Sequence, residues 1–129
     1  MSFEADLRDR LVNDAAVAAI VGARVYWDIR PQDSALPALV LRLVNGARDA
    51  SFGGAMGTQG NQVQFDCMAA SKSVSMALRN AAIAVAETPG VAGATGFQGG
   101  IVDLYRSMAE DTASGLVRTE QVRATIWFN

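Results

Sequence analysis

The chain has 129 residues, half of them hydrophobic, and a formal net charge of −2; its mean hydropathy is +0.16. This composition predicts one globular domain over residues 1–129, with a real but modest core, and excludes an intrinsically disordered chain. The mild acidity argues against a dedicated nucleic-acid-binding protein, because such a protein needs a basic face for phosphates.

The residue inventory also argues against the common catalytic centres. There is no histidine, which removes the usual general base and the commonest zinc ligand. Cys67 is the only cysteine, so no disulfide can form within the chain. Its apolar-facing strand position predicts a buried thiol rather than a nucleophile. We therefore expect no enzyme, no cofactor and no metal site.

The N-terminus has no features of a membrane or export signal. It carries acidic residues where a signal peptide would carry basic ones. The apolar run 15–21 is far shorter than the roughly 20 residues that cross a bilayer. We expect a protein that is soluble and cytoplasmic when it is made and does not contact a membrane.

Two helices are predicted at the start of the chain. The first has apolar residues at every fourth position, which is typical of an amphipathic helix. These residues are Phe3, Leu7 and Leu11. The pair Asn13-Asp14 is suited to cap a second helix over 15–21, and Gly22 is suited to end it.

Three strands are predicted next. Residues 24–28 are rich in β-branched and aromatic residues. The run 38–44 follows Pro37 and is apolar on both sides, which predicts a strand buried on both faces or facing a partner subunit. Residues 61–69 alternate strictly between apolar and polar, which predicts a strand with one face in the core.

The second half is predicted to contain one helix and two strands. Ser71 caps a helix over 72–87 that ends before Pro89. Its predicted apolar stripe consists of Val74, Ala77, Leu78, Ala81 and Val85. The strands span 101–108 and 116–128, joined by a polar hairpin.

Ten of the 12 glycines fall in two segments, 46–60 and 90–100, which we predict to be loops. Neither segment has the Gly-Lys-Ser/Thr of a phosphate-binding loop, and both lead into strands. Flexible or interface loops are the better interpretation.

One face of the predicted sheet has the composition of a protein interface, since an aromatic residue and a methionine lie among arginines and glutamines. This face carries Arg42, Gln62, Gln64, Met68, Arg123, Thr125 and Trp127. An ordinary sheet face partly covered by a helix is the alternative. Cross-strand pairs are also expected there, because Asp66 and Asp103 can reach arginines on the same face. The candidate partners are Arg42, Arg106 and Arg123.

The order of these segments resembles the tail-completion (tail-terminator) proteins of long-tailed bacteriophages and related particles. The motifs are Gly22-Ala23-Arg24-Val25-Tyr26, Pro37-Ala38-Leu39-Val40, Asn45-Gly46-Ala47-Arg48-Asp49, Val63-Gln64-Phe65-Asp66 and Ile126-Trp127-Phe128. The resemblance covers essentially the whole chain. Its specificity lies in order and spacing, because each motif alone is weak.

The resemblance implies an α+β single domain, with an antiparallel or mixed sheet of four to five strands packed against an N-terminal helix pair and one central helix. Copies would form a ring, typically of six subunits, on the head-proximal end of a tail tube. The ring would end growth of the tube protein and join it to the head-tail connector (stopper) protein. DNA would pass through the ring without specific binding. The particle would be a phage, a defective prophage or a gene transfer agent.

The resemblance also implies interface residues. Arg48, Asp49, Phe52 and Met56 would lie in a loop that becomes ordered only on contact. Further candidates for subunit contacts are Arg42, Gln64, Arg123 and Trp127. Two alternatives stay open: a head-completion or connector subunit, and a ligand-binding or enzymatic α+β domain. The latter predicts a monomer with a deep polar pocket and titratable groups of shifted pKa.

Overall fold

The computed structural model describes residues 3–31, 35–51, 54–112 and 115–129; for 47–51 and 54–58 the description covers the backbone alone. The helices are α1 (Phe3–Asn13), α2 (Ala15–Val21) and α3 (Lys72–Glu87). The strands are β1 (Val25–Trp27), β2 (Ala38–Ser51), β3 (Gly54–Ala69), β4 (Gly90–Ala92), β5 (Thr95–Thr112) and β6 (Gly115–Phe128). The predicted α+β domain is confirmed.

The N-terminal helix pair forms where the sequence predicts it. The spacing of four in α1 buries its apolar residues against the sheet, and Leu7 and Leu11 are fully buried. The carboxylate of Asp14 accepts a hydrogen bond from the backbone N–H of Val17 at 3.1 Å, which caps α2. Gly22 ends α2 with a φ of 59°, a conformation that glycine adopts without a steric penalty.

The third helix has the predicted ends but a different buried face. The Ser71 hydroxyl accepts from the Val74 N–H and caps its start. Val74 is 36% exposed and Ala77 is also exposed, so their predicted place in the apolar stripe is wrong. The buried face instead comprises Ser75, Leu78, Ala81, Ala82, Val85 and Ala86. Small residues here let the helix approach the sheet closely.

The strands form one sheet in the order β1-β2-β3-β6-β5-β4. β1 is parallel to β2, and the other neighbours are antiparallel. The sheet has six strands where four to five were predicted. One strand that was not predicted is β4, which lies in the second glycine-rich segment and pairs with Thr95–Phe97.

The prediction of loops in the two glycine-rich segments is wrong. Backbone pairing of β2 with β3 continues up to Ser51 and Gly54, so the first segment forms the end of a long hairpin. A ladder uses backbone N–H and C=O groups, which glycine retains; the alternating pattern that predicts a strand depends on side chains, which glycine lacks. At Gly100 in β5, an added Cβ would lie 2.5 Å from the carbonyl oxygen of Ala86. Glycine is needed there because α3 crosses the strand at close range.

The core lies between the three helices and one face of the sheet. The alternation predicted for β3 is confirmed, since Val63, Phe65 and Cys67 are fully buried. Burial of β2 on both faces, as predicted, holds only for Ala38–Leu41; beyond this range Leu43 is 44% exposed. Trp27 packs on the core and donates to the Glu4 carbonyl at 2.8 Å, so α1 provides its cover.

The two long hairpins extend beyond the shared sheet in opposite directions. At one end the last rung common to β2, β3 and β6 joins Arg48, Gln59 and Phe128, and β2 and β3 continue beyond it. At the other end the last rung common to β3, β6 and β5 joins Ala69, Arg118 and Ala109, and β5 and β6 continue. The β2–β3 hairpin (the first hairpin) therefore projects at one end of the sheet, and the β5–β6 hairpin (the second hairpin) projects at the other.

Candidate interface on the open face of the sheet

The three described helices pack on one face of the sheet, and we call the opposite face the outer face. Register places Gln64 of β3 directly between Arg42 of β2 and Arg123 of β6. The next outward-facing rungs pair Gln62 with Thr125 and Gly60 with Trp127. The sequence prediction that these polar and aromatic residues share one face is confirmed.

Asp66 is the centre of a hydrogen-bond network on the outer face. Its Oδ1 accepts from the side-chain amides of Gln64 at 3.2 Å and Gln121 at 3.0 Å. Nη2 of Arg42 lies 3.8 Å from Oδ2 of Asp66, and the Asp66 side chain is only 10% exposed. Nε of Arg106 donates to the side-chain oxygen Oε1 of Gln121 at 2.7 Å and so fixes the orientation of that side-chain amide. The network therefore connects four strands, and the amides satisfy the buried carboxylate.

A second, more exposed group surrounds Asp103. Its carboxylate accepts from Gln62 at 3.2 Å and from Arg123 at 3.4 Å. The side chains of Asp103 and Arg123 are 39% and 38% exposed, so water screens the pair and its contribution to stability is small. The predicted pairing of both aspartates with arginines of the same face is confirmed, while Arg106 contacts a glutamine instead.

Trp127 lies at the end of the outer face where the first hairpin begins to project. A Cβ added at Gly60 would lie 3.0 Å from the indole Nε1, so glycine lets the ring lie flat against the strand. The indole is only partly buried. An aromatic surface held in one place by the backbone is well suited to contact another protein.

The predicted loop residues are located only in part. The backbone of Arg48, Asp49 and Met56 belongs to the strands of the first hairpin, and their side chains lie outside the described residues. Phe52 lies entirely outside them.

Sequence reasoning missed a row of exposed apolar residues along β5. Ile101 and Tyr105 are 60% and 62% exposed, and Leu104 and Met108 are also exposed. The signal was present, because residues 101–108 carry apolar side chains on both sides of the strand, whereas helices packed on one face of a sheet can cover only one of these sides.

The described residues offer little for catalysis. Burial, with the nearby acids Asp66 and Glu120, raises the pKa of the Cys67 thiol, which therefore stays protonated and unreactive. Within the described ranges no cluster of three or more Cys, Asp or Glu residues is placed to hold a metal ion. None of the described helices has the length and apolar character needed to cross a membrane.

An open groove of about 480 Å³ lies between α1, α3 and β4. Its central cation, Arg10, donates to the Thr88 carbonyl at 2.7 Å and stacks over the Phe97 ring at 5.0 Å. Burial lowers the pKa of Arg10, and Asp14 partly opposes that shift. Because these contacts join α1 to the end of α3, the arginine has a structural role that accounts for its environment.

The fold and this surface can be compared with known proteins. The sequence profile of the family described as Tail completion protein gp17 matches residues 5–125. A chain in the solved virion of a native gene transfer agent particle has the same fold, with a TM-score of 0.71 and 19% identity. The match covers 99% of this chain and 96% of that chain. No curated protein sequence matches. Because the profile spans nearly all of the sequence, the chain belongs to the tail completion protein gp17 family, structural proteins of the phage-like virion tail.

Proposed function

We propose that copies of this protein form a hexameric ring that caps the head-proximal end of a phage-like tail tube. The ring ends tube growth and joins the tube to the head-tail connector. The observation that carries this proposal is the family match over residues 5–125. The shared fold with a chain of a gene transfer agent virion supports it.

The proposed mechanism is surface complementarity without catalysis. A ring that ends a tube needs two different surfaces, one that binds the last tube subunits and one that they cannot extend. The opposed hairpins supply two such surfaces if the strands run along the ring axis, because a different hairpin then projects at each end. Head-to-tail contacts between copies form a closed ring when the rotation from one copy to the next is a whole fraction of a full turn.

The outer face supplies contacts between copies or with the tube in this proposal. Arg42, Gln64, Arg123 and Trp127 are the residues that we propose to make them. Arg48, Asp49 and Met56 would contact the neighbouring protein from the first hairpin, and we propose the same contact for Phe52. DNA passes without specific binding, because Asp66 and Asp103 lie beside Arg42 and Arg123 and offset their charge.

The test is negative-stain imaging of the cognate tube protein polymerising with and without this chain. We expect ring-shaped caps at one tube end and tubes that stop lengthening. Unchanged growth with undecorated ends would overturn the proposal. Binding to isolated connector rings but never to tubes would identify a head-completion subunit instead.

A further inference from the structure

β5 has a free edge along most of its length. β4 pairs with it only at Thr95–Phe97, and no other described strand lies on that side of the sheet. Backbone groups that point away from β6 over 99–111 therefore have no strand partner among the described residues. Unpaired edges of this length are uncommon in a free subunit, because they can pair with another chain.

The opposite edge of the sheet is also only partly covered. β1 pairs with β2 at Leu39–Leu41 and ends there, which leaves 42–51 without a strand on that side in the described part of the chain. Neither free edge contains a proline, the residue that most directly blocks pairing. Two pairing-competent edges thus lie on opposite sides of one molecule.

Both edges carry apolar side chains in solvent. On β2, Leu43 and Val44 are 44% and 48% exposed. On β5, Ile101, Leu104 and Met108 are 60%, 45% and 42% exposed. Covering such residues stabilises an association by roughly 25 cal/mol per Å² of apolar surface buried, before the cost of association is counted.

The two edges also match in height, and both have an irregularity at the same level of the sheet. The rung that contains Leu43 runs through Val63 and Ala124 to Val102, so both edges reach the same level of the sheet. Each edge has a register irregularity there, between Leu43 and Asn45 on β2 and between Val102 and Leu104 on β5. Such bulges bend a strand and increase its twist, so both edges change direction at one height.

Strand direction determines how two copies can meet. β2 is antiparallel to β3, β3 to β6 and β6 to β5, so β2 and β5 run in opposite directions. When two copies stand side by side the same way up, β2 of one copy is therefore antiparallel to β5 of the next. This contact uses two different surfaces, so it repeats from copy to copy and can close into a ring.

We infer that the free edge of β2 in one copy pairs with the free edge of β5 in the next copy, in antiparallel register around Leu43–Asn45 and Ile101–Leu104. The inference deepens the proposed ring and rests on it. It makes the sheet continuous across subunits, with the outer faces forming one surface.

Cysteine pairs test this contact directly. Single cysteines at Leu43, Val44 and Asn45 are combined with single cysteines at Ile101, Val102 and Leu104, which allows for small differences in register. Cys67 is fully buried and does not compete for oxidation. Each double variant is oxidised both as concentrated free protein and on capped tubes, and the products are separated on non-reducing gels. The control combines Val44→Cys with Ala19→Cys, because Ala19 is exposed on α2.

We expect at least one double variant, such as Val44→Cys with Leu104→Cys, to form covalent multimers up to the size of the ring. Single variants and the α2 control should stay monomeric on the gel. The inference is overturned if no pair produces multimers in either setting, or if Leu104→Cys alone forms dimers, because the latter shows β5 pairing with β5. If tubes are capped but no pair forms multimers in either setting, the edge pairing is wrong and the cap role stands. If multimers form but tubes are not capped, the edge pairing stands and the cap role is wrong.

Discussion

At the scale of residues, two aspartates of the outer face make similar contacts at different depths. Asp66 is nearly buried and has two amide donors, whereas Asp103 is well exposed and lies beside Arg123. When a buried donor loses its acceptor, the protein loses the free energy that was needed to remove that donor from water. At the surface, water replaces the lost partner, so the cost is small. Burial, rather than charge, therefore distinguishes the two positions.

We expect Asp66→Ala to lower the free energy of unfolding by about 1–3 kcal/mol, because it leaves the amides of Gln64 and Gln121 without their acceptor. Asp103→Ala is the matched control and should cost less than about 1 kcal/mol. Urea denaturation followed by circular dichroism measures both values. If both variants lose the same free energy of unfolding, burial does not determine what these two carboxylates contribute to stability.

At the scale of elements, the sequence predicts best where side chains report on structure. The caps at Asp14 and Ser71 define the helix starts, and the alternation of residues 61–69 defines the core strand. Glycine-rich strands escape prediction because backbone pairing leaves no side-chain pattern. The predicted buried face of α3 is wrong at Val74, because tertiary packing decides how the helix is rotated about its own axis and so which side chains face the sheet.

The same limit applies to the candidate interface. Placement of Arg42, Gln64 and Arg123 on one face follows from strand alternation and is confirmed by register. Their role in subunit contacts stays a prediction. The free edges of β2 and β5 could not be predicted, because an edge is defined by the strands that are absent beside it and depends on sheet order.

The opposed hairpins support a prediction about the two ring surfaces. Replacing 49–58 with Asn-Gly joins Arg48 to Gln59 through a two-residue turn, and replacing 111–116 joins Glu110 to Val117 in the same way. We expect each variant to stay folded and to lose one partner, either the tube or the connector, while binding the other. Binding of both proteins is measured by co-sedimentation.

Each shortened hairpin serves as the control for the other. Thermal denaturation checks that both variants are folded. If both lose the same partner, the hairpins do not form opposite surfaces of the ring and this assignment is wrong.

At the scale of the whole molecule, a net charge of −2 and paired arginines predict weak contact with DNA. Non-specific DNA binding depends on neutralising phosphates and weakens steeply with salt. We expect no mobility shift of double-stranded DNA at about 0.15 M salt with micromolar protein. The double variant Asp66→Asn with Asp103→Asn removes two negative charges beside Arg42 and Arg123 and should bind more strongly. Tight binding by the unaltered protein would contradict the proposed passage of DNA.

The position of β6 has a consequence for synthesis on the ribosome. It is the last described strand in chain order, yet it lies between β3 and β5 in the middle of the sheet. The strands on either side of it must wait for Gly115–Phe128 to emerge before they can join. A nascent subunit therefore cannot present both outer edges in one rigid sheet until β6 has been translated, and we expect this delay to keep incomplete chains out of the assembly.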